Sequence, residues 1–204
     1  AKVTKGASDK AWEAMLQVPN DPTKEAKIDA AWAMFQEKAG WQKPAAGKTQ
    51  SYGVLLFDTD GRILLRQPTG EFGGAKWTFA KGGGPHTAPA TTALKELGEE
   101  TGFKANIYSH LEDGYVGGTT KTNYFIGMQE GTWNPELMDK ETSAVQWFTY
   151  EEAVAAINQS PSAAVRARDL KILDDAYAKM GSMGKMNAAG EVGFDNIGDI
   201  TNVG

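Results

Sequence analysis

No cysteine occurs anywhere in the 204 residues. That excludes a disulfide framework and zinc–thiolate chemistry. No stretch is long or apolar enough to span a membrane, and the first residues carry no apolar signal core. Positive charge is not in excess either. The net charge is −5, which gives no strong field for nucleic acid. Hydrophobic residues make up 41% of the chain, below the globular average, so only part of it need form a core. Internal repeats and low-complexity tracts are absent. The expectation is a cytoplasmic protein of one domain with extensions, or of one domain plus a small second unit.

What is present is an acidic run, Lys95-Glu96-Leu97-Gly98-Glu99-Glu100-Thr101-Gly102. Glu96, Glu99 and Glu100 fall at i, i+3 and i+4, on one face of a helix. Gly102 suits the left-handed residue that ends a helix. Three acids on a helix are often only a solvated face. Their mutual repulsion is relieved by a hard cation, and oxygen ligands on a short arc suit Mg²⁺ or Mn²⁺. Upstream, Trp77-Thr78-Phe79 reads as a short strand running into the glycine loop Lys81-Gly82-Gly83-Gly84. Pro89 stands in the first turn of the acidic helix. Glycines let a backbone approach a phosphate or a metal closely.

Residues 1–50 read as a helical extension and linker. Asp9 to Leu16 suits a short helix. Asp21-Pro22 starts a second and Gly40 stops it, with Ile28, Ala31, Trp32 and Phe35 on one face. That face packs on the main domain or on a partner. Gln42 to Gln50 reads as a linker. Residues 51–180 read as the main domain. A hairpin spans Tyr52 to Arg66 around Asp58-Thr59-Asp60-Gly61. Further strands are predicted over Ala105–His110, Tyr115–Val116, Lys121–Met128 and Ala144–Phe148. Thr149 and Glu152 form a capping box for a helix through Ile157. Ser160-Pro161 caps another, running to about Met180, with Gly181 as its stop. Helices on both sides of a mixed sheet make an α/β sandwich the economical fold. Residues 181–204 hold six glycines and scattered apolar residues, and read as a Gly-rich tail or an assembly arm.

The acidic run and its surroundings resemble the Nudix hydrolases. Glu96, Leu97, Glu99, Glu100, Gly102 and Phe103 match that family's box. Lys121-Thr122-Asn123-Tyr124-Phe125 resembles a strand of its dinucleoside-polyphosphate and diphosphoinositol branches. Val145–Phe148 and Glu151-Glu152-Ala153 look like its closing strand and helix start. Three features depart from the pattern. Lys95 stands for an Arg, Thr87 for the first Glu, and the loop from Gly83 to Thr87 is short. The resemblance implies an α/β/α sandwich with a mixed sheet. It also implies that Glu96, Glu99 and Glu100 hold divalent metal, helped by a carbonyl near Gly82 or Gly83.

The implied reaction is Mg²⁺-dependent hydrolysis of a phosphoanhydride in a nucleoside diphosphate linked to another group. Dinucleoside polyphosphates are favoured and ADP-ribose comes next. Among catalytic candidates, Glu99 and Glu141 compete as general base, with Glu96 nearest the substrate. Arg66, Lys81 and Lys121 are candidates for phosphate oxygens, against plain surface ion pairs. Tyr124 is a stacking or phosphate contact, or a core residue. Phe72, Trp77, Tyr115 and Trp133 are further aromatic candidates. The alternative to an enzyme is a binding or structural module of the same fold, using residues 1–50 and 181–204 for self-assembly or a larger assembly.

Overall fold

The computed structural model describes residues 22–38, 48–85 and 87–182. The expected Asp9–Leu16 helix, most of the linker and the glycine-rich tail lie outside the described residues. Among the described residues no helix is long and apolar enough to cross a membrane.

Seven strands form one sheet: β1 (Thr49–Phe57), β2 (Ile63–Pro68), β3 (Lys81–Gly83), β4 (Lys104–His110), β5 (Tyr115–Gly117), β6 (Thr120–Glu130) and β7 (Thr142–Phe148). Their order is β4-β6-β1-β2-β7, with β3 added to β1 and β5 to β6. β1 runs parallel to β6, in register from Thr49↔Thr120 to Phe57↔Met128. The remaining ladders are antiparallel, so the sheet is mixed. β1 therefore begins at Thr49, inside the predicted linker. Its run of consecutive buried residues suits a strand covered on both faces. Asp58 closes the hairpin, its carboxylate accepting the backbone N–H groups of Asp60 and Arg62.

Among the described residues, two helices cover each face. On one side lie α1 (Pro22–Lys38) and α2 (Pro89–Thr101), and on the other α3 (Tyr150–Ile157) and α4 (Ala163–Ser182). One core joins Leu55, Phe57, Phe79, Tyr124 and Ile126 to Ile157, Ile172 and Leu173. The second joins Val54, Leu56, Ala80 and Phe125 to Ile28, Ala93 and Leu97. Ile28 is fully buried, so the extension carrying α1 builds one wall of the domain. The α3 capping box has both reciprocal bonds between Thr149 and Glu152.

Three expectations need correction. The strand predicted over Trp77–Phe79 is a single bridge, Thr78 to Arg66, and the regular ladder falls on Lys81–Gly83 instead. Glycines are needed there because α2 lies hard against β3. A Cβ on Gly82 would stand 2.0 Å from Glu96 Cδ, and one on Gly84 2.3 Å from Thr92 Oγ1. Second, α4 is capped by Ser162, whose Oγ accepts from Val165 N. Ser160 is committed elsewhere, its Oγ accepting from Lys76 N at 2.9 Å. Third, α4 runs through Gly181 to Ser182.

Gly53 in β1 pairs with Lys81 on one side and Tyr124 on the other. A Cβ there would lie 2.3 Å from Ala80 O and 2.8 Å from the Tyr124 ring. Gly53→Ala should therefore destabilise the fold by about 1–3 kcal/mol through overpacking, measured by urea unfolding. A change below a few tenths would mean that β3 gives way freely.

Candidate active site

α2 begins without a side-chain cap of its own, at Ala88. Its first turn is capped from α1, 61 residues away: Asp29 Oδ1 accepts from Ala90 N at 2.6 Å. Asp29 Oδ2 accepts from Thr91 Oγ1 at 2.7 Å. A carboxylate at this end also suits the helix dipole. The helix ends at Gly102, with φ 75° and its N–H donating to Gly98 O.

The three glutamates have different surroundings. Glu100 is 3% exposed. Its carboxylate accepts Arg66 Nε and Nη2, both at 2.9 Å. It also accepts the backbone N–H of Lys81 at 3.0 Å. Burial raises the Glu100 carboxyl to about 7, against the opposing pull of Arg66. Glu96 is partly buried against Gly82, and its carboxyl is pushed up by burial and by the charge of Glu99, with Glu141 and Asp139 adding. Glu99 is more exposed and meets Lys95 Nζ at 3.8 Å. Lys95 is itself an exposed partner, so the departure from Arg leaves no buried charge behind.

The loop after a 3₁₀ turn at Pro135–Leu137 closes over these acids. Asp139 N donates to Glu99 O at 2.7 Å. Asp139 Oδ1 then accepts from Glu141 N at 2.9 Å, fixing the loop. Glu141 O accepts from Thr69 N at 2.9 Å, joining this loop to the end of β2. Glu96, Glu99, Asp139 and Glu141 thus crowd negative charge at one end of α2.

The basic candidates divide by face. Arg66 points towards α2 and is occupied by Glu100. Lys121 lies on the opposite face of β6 from Thr122 and Tyr124's side chains, packed on Gly114. Lys81 points towards α4. Its ammonium reaches Thr122 Oγ1 at 3.4 Å and Thr120 Oγ1 at 3.5 Å. Burial, then the nearby Arg168 charge, lower Lys81 to about 8. Tyr124 is 2% exposed, its ring set between Phe79 and Tyr115 in the core. Trp77 packs edge-on against Phe148, and Trp133 stacks on Phe103 while donating to Thr101 O. Phe72 is the most exposed of the aromatic candidates, at 85%, on a loop with several positive φ values.

The sequence reading missed Asp139, Arg168 and Asp169. Asp169 is fully buried and accepts from Thr78 Oγ1 at 2.7 Å and from Arg168 Nε at 2.9 Å. Its signal was a charged residue on the apolar stripe of α4, between Val165 and Ile172.

Among the described residues no three acidic or histidine side chains form a ready-made metal cluster. The donors nonetheless fit a hard cation. Glu96 fills the space that any side chain at residue 82 would take, which sets a carboxylate against glycine backbone. Around it are oxygen donors of like charge, whose repulsion a divalent ion relieves.

A NUDIX domain model matches residues 47–170. A NUDIX hydrolase from Nitrosomonas europaea shares 18% identity with a TM-score of 0.53, over 65% of this chain and 90% of that one. Another NUDIX hydrolase structure from Nitrosomonas europaea shares 14% with a TM-score of 0.52, over 66% and 74%. Both likenesses show the fold. No curated protein matches the chain.

The folded-state value of Glu100 lies above the unfolded 4.5, so its ionisation lowers stability as pH rises towards about 7. Arg66→Met removes the balancing charge. It should cost about 3 kcal/mol at about pH 8, where the parent ionises Glu100 beside Arg66 and the variant must bury the charge unpaired or take up a proton. At about pH 5 the carboxyl is protonated and the loss should shrink. Urea unfolding at both pH values checks this. Equal losses would show that packing, and not charge, ties Arg66 to the helix.

Proposed function

The chain belongs to the NUDIX family and is a hydrolase of that family, and we propose that it cleaves phosphoanhydrides in nucleotide-linked diphosphates with Mg²⁺, or Mn²⁺, as its ion. The observation that carries this is the set of repelling carboxylates around Glu96, held against the glycine backbone of β3. A site without a cation has no physical use for that arrangement.

Glu96 and Glu99 would hold the ion, with the carbonyls of Gly82 and Gly83. Glu100 lies behind them and is charge-paired with Arg66, so it fixes the helix against β2 and β3. When bound, the ion neutralises the diphosphate and makes a coordinated water more acidic. Glu141 accepts the proton of the attacking water. It stands on a separate loop, pinned by Asp139, and shares the field of Glu96. Water oxygen bonds to phosphorus, the bridging P–O bond breaks, and two phosphate products leave.

For the substrate, the Lys121–Phe125 segment favours dinucleoside polyphosphates, with ADP-ribose second. Product release would be measured on a panel of dinucleoside polyphosphates, ADP-ribose, nucleotide sugars and nucleoside triphosphates, each with and without Mg²⁺. Metal-dependent cleavage of one class is expected.

Two variants separate the roles. Glu99→Gln should raise the metal concentration needed for half-maximal activity. Glu141→Gln should lower kcat by about 10²–10⁴-fold with little change in that concentration. A Glu141→Gln enzyme as fast as the parent would remove Glu141 from proton transfer.

A further inference from the structure

Beside the face that it packs on the sheet, α2 borders an apolar groove. Leu94 and Gly98 form the floor on the helix, Phe103 closes one end, and Leu137 forms the far wall. The cavity volume is about 250 Å³. Trp133 extends the apolar surface by stacking on Phe103. Trp133 and Leu137 are 46% and 43% exposed, so both leave apolar surface in water.

Gly98 sits in the body of the helix without a packing reason. A Cβ there would meet nothing within 4 Å. Alanine would fit and would favour the helix. Gly53, Gly82, Gly84 and Gly102 are different, each crowded by a neighbour closer than 3 Å to its missing Cβ. At residue 98 the absent side chain leaves helix backbone bare to the groove, where an incoming group can approach closely. A cavity of about 150 Å³ takes a benzene ring. This one has room for a single aromatic side chain and part of a small neighbour.

The rim is charged. Lys95 and Lys104 line it with one acid, Glu99, which Lys95 meets at 3.8 Å. Lys104 stands opposite Glu130 in the β4–β6 ladder. An aromatic residue flanked by acids suits such a groove. Three longer segments of the chain lie outside the described residues: 1–21, 39–47 and 183–204. The first holds three lysines and three acids, and the second one lysine and no acid. The third holds the acids Glu191, Asp195 and Asp199 against the single Lys185. Within it, Glu191-Val192-Gly193-Phe194-Asp195 sets two apolar residues at period two with an acid at each end.

The same segment has the reach. The Tyr177 hydroxyl donates to Gly61 O, so α4 ends beside the β1–β2 turn. β1 ends at Phe57, the partner of Met128, and the β4–β6 ladder runs on from Met128 to Glu130 and Lys104. The groove and the end of α4 therefore lie at one end of the sheet, on opposite faces. Passing from one helix layer to the other takes about 20 Å. Stepping across two strands takes about 10 Å. Phe194 is 12 residues beyond Ser182, a span of up to about 40 Å. We propose that this chain's own segment Glu191–Asp195 lies along the groove, with Phe194 over Gly98 and its acids towards Lys95 and Lys104. The seat backs onto the helix that carries Glu96 and Glu99, and it does not depend on the hydrolase reading above.

Hydrogen exchange on the full chain tests this, with a synthetic peptide of residues 183–204 as the unprotected reference. In the parent, the amides of Val192 to Asp195 should exchange about tenfold or more slowly than in the peptide. Gly98→Leu fills the groove from open space, and Leu137→Asp sets a charge against the incoming acids. Each of these, and Phe194→Ala, should return the rates to within about twofold of the peptide. Circular dichroism confirms that each variant is folded. The two groove variants stand on different elements, so the loss of one to misfolding leaves the other to decide.

Peptide-like rates in the parent, or protection that survives in a folded groove variant, overturn the seat. Light scattering on the same samples gives the number of chains per particle. Protection in a single-chain particle supports a seat within one chain. Protection that appears only as two chains associate assigns the groove to a second copy and overturns the proposal.

Discussion

A buried carboxylate holds three elements of this protein together. Glu100 accepts two bonds from the Arg66 guanidinium on β2 and one from the backbone of β3, while it belongs to α2. Its charge is costly at this depth, and burial outweighs the guanidinium in setting its proton affinity. The compensation is geometric. β3 has only three residues and pairs with β1 alone, so its ladder cannot position it firmly. The bond from Lys81 N to Glu100 ties its free edge to α2. Everything the site needs from β3 depends on that tie, including the approach of Gly82 to Glu96 and the direction of Lys81.

Because side chains alternate along a strand, consecutive residues of β3 serve opposite faces. Gly82 meets the acids of α2, and Lys81 meets the hydroxyls of β6 and the field of Arg168. A short strand thereby separates a negative cluster from a positive one by a single residue.

Much of this was legible in the sequence. Glu96, Glu99 and Glu100 at helical spacing, with Gly102 after them, marked the acidic helix and its end. The Thr149–Glu152 box placed α3. Those signals are local, and local physics decides them. The strand predicted at Trp77–Phe79 failed because aromatic residues favour strands by packing, and here Trp77 and Phe79 pack without a continuous ladder. The glycines of β3 read as a loop because their use is contact with α2, which no neighbouring residue reveals. Ser160 read as a cap because it precedes Pro161, yet its hydroxyl serves Lys76 far away in the chain. Asp169 was hidden for the same reason: a charged residue in an apolar stripe becomes intelligible only when Thr78 and Arg168 are seen beside it.

The cap on α2 has a consequence for how this chain can change over generations. The helix carrying the acids borrows its N-terminal acceptor from α1, which the family model's matched region does not reach. Asp29 and the first turn of α2 are thus coupled across a boundary where segments would otherwise be exchanged freely. A recombinant that joined this domain to another leader would inherit a helix without its N-terminal cap. Descent should accordingly keep the leader and the domain together, or replace Ala88 with a residue that can cap for itself.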